Sequence, residues 1–292
     1  MQAGKQAGEA RHDQPVVMRR DDGGHDEIEF FGDGELLFGC RHVPAGDIRA
    51  GLVVCPSILS DAGANYQREV RLGRQLAAAG IVVQRFHPRG TGHSDGVGSD
   101  LTLGSLVEDA RAAAAQLRAR CPVETVMVLG TRFGALVAGA VAAELDDAPV
   151  VLWEPTTDPR RFLREGLRAR AVHLVRQAGA EREDPEVELD RQGFIDLLGV
   201  PVGRGLFETP AGHDLASQMG DRPRPVLLVQ MDQRDDLRPE YVNLVDRWTE
   251  LGFSVTTRCC PCDETWWYVH DRLAPAAHLL DATAEWLLAR SP

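Results

Sequence analysis

Residues 126–145, VMVLGTRFGALVAGAVAAEL, restrict the fold of this chain more than any other stretch. A continuous apolar run reaches Gly130, a short step leads to Gly134, and a helix of small residues opens behind it. An apolar run without polar alternation is the pattern of a strand covered on both faces. Gly130, Gly134, Ala135 and Gly139 are small where a strand must turn sharply into a helix that packs back on it. The centre of the turn is Arg132. Its guanidinium is permanently protonated and only donates hydrogen bonds. At a helix N-terminus the macrodipole opposes a cation by a few tenths to about 1 kcal/mol. The position therefore calls for an anion.

The rest of the chain reads as strands alternating with helices. EIEFFGDGELLFGCRHV alternates and turns at Gly32-Asp33-Gly34, as a hairpin does. AGLVVCP, IVVQRFHP, APVVLWEP and PVLLVQMD are short apolar strands, and FSVTTRC is a further strand. NYQREVRLGRQLAAAG has helical spacing and stops at Gly80. LTLGSLVEDARAAAAQLRARC, YVNLVDRWTELG and AAHLLDATAEWLLAR are further helices. The order predicts a mostly parallel, doubly wound α/β sheet. The core spans 27–154 and 222–292; the intervening 155–221 breaks the alternation and predicts a helical cap over the carboxyl edge. Residues 1–26 are polar and predict a disordered lead.

Composition narrows the function. The net charge of −12 argues against nucleic acid or an anionic membrane as partner, and no apolar run is long enough to span a bilayer. Six cysteines without a disulfide-scaffold pattern fit a reduced, cytoplasmic protein. RCCPC at 258–262 lacks the second ligand pair that a zinc site needs. No Rossmann fingerprint or P-loop is present, so no cofactor is expected. The expected partner is a small molecule or peptide; a homodimer is left open.

The strand–turn–helix at 126–140 resembles the nucleophile elbow of the α/β-hydrolases, with Arg132 where that family carries serine. FHPRGTGHSDG resembles the family's loop after its fourth strand, with Arg89, Gly90, Gly92 and Ser94 matching and His87 in place of aspartate. Glycines and Arg89 there read mainly as architecture. QMDQRDDLRPE resembles the segment carrying the triad acid and selects Asp235, with Asp232 and Asp236 beside it; CDETWWYVHDRLAP offers His270. More narrowly, NYQREVRLGRQLAAAG, GTRFGAL, VLWEPTTDPRRFLREGLRARAV, DLLGVPV and TWW resemble the second type of hydrolase-fold protein associated with bacterial exosortase systems. The resemblance spans roughly 28–290 and implies that arginine at the elbow is a family trait. It implies no substrate, because fold does not fix function.

Two readings of Arg132 stay open. In the first the anion belongs to a ligand: the chain is an atypical, non-covalent enzyme that hydrolyses, cyclises or isomerises a carbonyl compound bearing a carboxylate or similar anion. Arg132 anchors that anion, and His270 with Asp235 or Glu154 forms an acid–base pair. Cys55, Ser57, Thr131, Phe133, Trp266 and Trp267 line the pocket. In the second the anion is internal, with Glu154 or Asp235 closing the site of a pseudo-hydrolase used for binding or as a scaffold. A displaced nucleophile at Cys55, Ser57 or Thr131 is a third route.

Overall fold

In the computed structural model of the chain, residues 14–176, 184–209, 212–261 and 276–292 are described. Strands β1 (Val16–Arg19), β2 (His25–Phe31), β3 (Leu37–Val43) and β4 (Ala50–Cys55) precede helix α1 (Ser60–Ala78) and β5 (Ile81–Phe86). Helix α2 (Leu103–Arg120) leads to β6 (Val126–Thr131), α3 (Gly134–Ala143) and β7 (Val150–Trp153). Next come α4 (Pro159–Arg176), α5 (Pro185–Gln192), β8 (Phe194–Asp196), β9 (Pro201–Gly203), α6 (Arg204–Phe207) and α7 (Leu215–Met219). The chain closes with β10 (Pro225–Gln230), α8 (Pro239–Glu250), β11 (Ser254–Cys259) and α9 (Ala277–Leu288).

Nine strands form one sheet in the order β1-β2-β3-β5-β4-β6-β7-β10-β11. From β5 to β11 all neighbours are parallel, and β1, β2 and β3 run antiparallel at one edge. This is the mostly parallel sheet that the strand pattern predicts, in the α/β-hydrolase fold that the resemblance implies. β4, β5, β6 and β7 are buried along their whole length, the signature of a sheet covered on both faces. One apolar layer, with Leu106, Leu117, Leu136 and Trp248, covers one face; a second, with Leu72, Leu76, Trp153, Leu279 and Leu287, covers the other. Each buried aliphatic side chain contributes roughly 1.5–3 kcal/mol relative to exposure, so these layers dominate the fold's stability.

Helix α2 starts where Thr102 accepts from the Ser105 backbone N–H and Ser105 returns the bond to Thr102, a capping box. Helix α1 begins at Ser60, five residues before the periodic segment, and ends at Ala78, with Gly80 just beyond it at φ 92°. The hairpin turn at Gly32 and Gly34 uses φ of 109° and 93°, conformations that glycine adopts without strain.

Two expectations are corrected. Residues 16–19, assigned to the disordered lead, form the edge strand β1 paired with β2. Arg20 anchors this hairpin through Asp26 and the Val43 carbonyl. The segment 155–221 is not all cap: α7 packs against α3 within the core. The hairpin β8–β9 lies over the β5–α2 loop, where a Cβ added at Gly203 would sit 1.7 Å from the Ser99 carbonyl oxygen.

Candidate functional site

The elbow has the expected geometry. A Cβ at Gly130 would meet the Gly134 carbonyl at 2.5 Å, and one at Gly134 would meet the Cys55 carbonyl at 2.2 Å. Only hydrogen fits at either position. Arg132 has φ 52°, the left-handed region, at a cost of order 1–3 kcal/mol for a side-chain-bearing residue. Its backbone over-determines that conformation: its N–H donates to the Trp153 carbonyl at 2.9 Å, and its own carbonyl accepts from Ala135 and Thr156.

The side chain of Arg132 turns into the protein and is 7% exposed. Nε donates to Asp61 Oδ2 at 2.9 Å, Glu165 of α4 lies 4.0 Å from Nη2, and the guanidinium stands 5.7 Å from the Phe162 ring centre. Burial opposes the charge, but the Asp61 carboxylate, with Tyr241 and Glu154 behind it, holds Arg132 above the usual arginine range. Asp61 is fully buried in the first turn of α1, where the helix dipole favours a carboxylate. Burial nevertheless pushes its carboxyl up to about 6, Arg132 pulling it back only partly.

The residues expected to surround Arg132 divide sharply. Glu154 is fully buried, with φ 44°, but its Oε2 accepts from the Met231 N–H at 2.6 Å and its Oε1 pairs with Arg238. Burial raises its carboxyl pKa most, against the pull of Met231 and Arg238. Glu154 thus ties β7 to the segment after β10, and Arg238 also grips Asp232 at 2.8 Å. Asp235 is exposed, and no hydrogen bond or ion pair among the described residues joins it to Arg132 or Glu154. The internal anion is Asp61, which corrects the expectation of Glu154 or Asp235. His270, Trp266 and Trp267 lie outside the described residues.

The pocket residues fare similarly. Cys55 is fully buried, and burial pushes its thiol far up, which opposes the thiolate a nucleophile needs. Ser57 is buried with its hydroxyl 3.5 Å from the Ile58 carbonyl. Thr131 is fully buried on the strand beside Glu69. Phe133 is fully buried against Phe162, with ring centres 5.1 Å apart, and serves packing. The cavity that Arg132 touches measures about 50 Å³, between Phe162, Glu165, Arg238 and Tyr241. A cavity of this size holds a few waters and is well below the roughly 300–1,000 Å³ usual for small-molecule sites.

The loop at 86–96 is architectural, as its glycines predict. Arg89 donates through its backbone N–H and Nε to Asp109, both at 2.8 Å. His87 Nδ1 accepts from the His93 N–H at 3.1 Å; burial, then His93 and Arg85, lowers its pKa to about 4. His87 is neutral at pH 7.

Sequence reasoning missed Asp61, Glu69 and Arg85. The signal for Asp61 was Ser60-Asp61 ahead of the helical run, a helix-start signature. For Arg85 it was a charged residue inside an otherwise apolar strand.

No family model matches the chain, and no curated protein sequence matches it. Its fold is shared with solved structures at low identity. Est1E from Butyrivibrio proteoclasticus with bound ferulic acid superposes with a TM-score of 0.63 at 17% identity, covering 89% of this chain and 98% of that one. A thermostable carboxyl esterase from Bacillus coagulans gives 0.58 at 13%, covering 95% and 97%. A serine hydrolase without a lid from Xanthomonas campestris gives 0.54 at 20%, covering 96% of each chain. These likenesses define the fold class, α/β-hydrolase.

Proposed function

We propose that this chain uses the α/β-hydrolase fold to bind a small molecule or peptide without passing through an acyl-enzyme. The observation that carries the proposal is the buried Arg132–Asp61 pair, 2.9 Å long, at the centre of the elbow. A guanidinium has no lone pair to attack a carbonyl, and here its charge is matched by a protein carboxylate. The adjoining cavity, about 50 Å³, is far below the usual size of a small-molecule site. Leaving either charge buried alone costs roughly 3–5 kcal/mol, so a substrate that displaced one partner would have to offset that first.

The test is hydrolysis of short-chain esters and thioesters by the wild type and by Arg132→Ser. Wild-type rates equal to the buffer rate are expected. Saturable wild-type turnover would overturn the proposal, and its loss in Cys55→Ala would locate the nucleophile.

A further inference from the structure

A second buried arginine on the same sheet edge has the opposite surroundings. Arg85, near the end of β5, is 6% exposed, yet its guanidinium has no hydrogen bond or ion pair among the described residues, and Nε is buried without a partner. It rests on the Tyr66 ring, 4.4 Å from the centre. Glu69, one turn further along α1, is 3% exposed and its Oε1 is likewise unpartnered. Burial raises the Glu69 carboxyl pKa more than Arg85 lowers it, which favours the neutral acid. A buried guanidinium N–H without an acceptor among the described residues is costly unless something else accepts from it.

Both side chains form part of the wall of a cavity of about 390 Å³. Its remaining walls are largely apolar: Ile58 and Leu59 from the β4–α1 connection, Ala62 of α1, Phe86 at the end of β5 and Pro88 after it, and Val200 and Pro201 of the insertion. Cavities of roughly 300–1,000 Å³ with apolar walls and a few convergent polar groups are the usual form of small-molecule sites.

We propose that this cavity binds a small monocarboxylate with an apolar body, its carboxylate held by the Arg85 guanidinium. The planar fork of arginine matches a carboxylate in two parallel hydrogen bonds. The apolar walls take the tail, and Glu69 lies within the same polar end. The site deepens the binding reading above but fails separately from it: an acyl adduct at the elbow would overturn that reading and leave this one standing.

The experiment compares hexanoate and cinnamate with hexanamide and cinnamamide by calorimetry and thermal shift on the full chain. The acids should bind at least about tenfold tighter than the amides, because a charge-assisted pair is replaced by neutral bonds. Arg85→Met should erase that preference, Arg85→Lys should retain part of it, and Ala62→Phe should abolish binding by filling the space. Circular dichroism checks that each variant is folded. Equal binding of acid and amide, a preference that survives in folded Arg85→Met, or no binding of either acid at millimolar concentration would each overturn the proposal.

Discussion

Arg132 and Arg85 are both buried arginines at one edge of one sheet, and they sit in opposite electrostatic situations. Arg132 has Asp61 at 2.9 Å, an aromatic neighbour and about 50 Å³ of adjoining space. Arg85 has an aromatic neighbour, no ion-pair partner among the described residues and about 390 Å³ beside it. Where a serine elbow would carry out chemistry, the charge is internally neutralised and the space closed. A few residues away the charge is left over and the space is open. The contrast moves the binding reading from the turn that resembles an active site to the neighbouring cavity.

The sharpest way to break this contrast is to remove the counter-ion. Asp61→Ala should cost about 3–5 kcal/mol in urea unfolding, because it leaves a buried cation uncompensated. In an Arg132→Met/Asp61→Leu double variant the losses should fall well short of additive, since the two residues act as a pair. A full-cost double variant would mean that the pair does not neutralise itself.

Asp61 also gives the contrast a pH dependence. A carboxyl raised to about 6 in the folded state, against 3.8 normally, binds more protons folded than unfolded in that window. Its contribution to stability is therefore largest below pH 4 and declines as pH rises to 6. The decline amounts to at most about 3 kcal/mol. It should appear as the difference between wild-type and Asp61→Asn unfolding curves at pH 4.5 and 7. Asp26, held well below the carboxylate range by His42, Arg20 and Arg74, works in the opposite sense: its contribution is lost as pH falls. Only the difference between proteins isolates Asp61.

Gly134→Ala should cost about 1–3 kcal/mol, because its Cβ would meet the Cys55 carbonyl and the backbone must shift. That loss tests the elbow's packing apart from its charge. Arg85→Met should change stability by no more than about 1 kcal/mol without ligand, since it removes a desolvated cation along with its contact to Tyr66. A loss as large as that of Asp61→Ala would erase the distinction between the two arginines.

The architecture and the elbow were legible in the sequence because buried parallel strands are uninterrupted apolar runs and a tight strand–helix turn demands glycine. Strand β1 was not legible: Val16, Val17 and Met18 make an apolar run of only three in a polar segment, and the strand, exposed along its length, is defined by its backbone pairing with β2. Arg132's need for an anion was also legible, from charge and helix polarity alone. The identity of that anion was not, because Asp61 lies 71 residues earlier and reaches Arg132 only through the pairing of β4 with β6. Glu154 and Asp235 were expected from strand-end positions, but a strand end does not fix where a side chain points. Glu154 turned to Met231 and Arg238, and Asp235 to solvent. Arg85 stands out in IVVQRF as a charge in an apolar run; that it lacks a partner is a property of packing.

The central claim is that the elbow supports no covalent chemistry, and intact-protein mass spectrometry after incubation with an activated ester and a fluorophosphonate tests it most directly. The unmodified mass, in wild type and in Asp61→Asn, is the expected result. A stoichiometric acyl or phosphonyl adduct on the wild-type chain would contradict it.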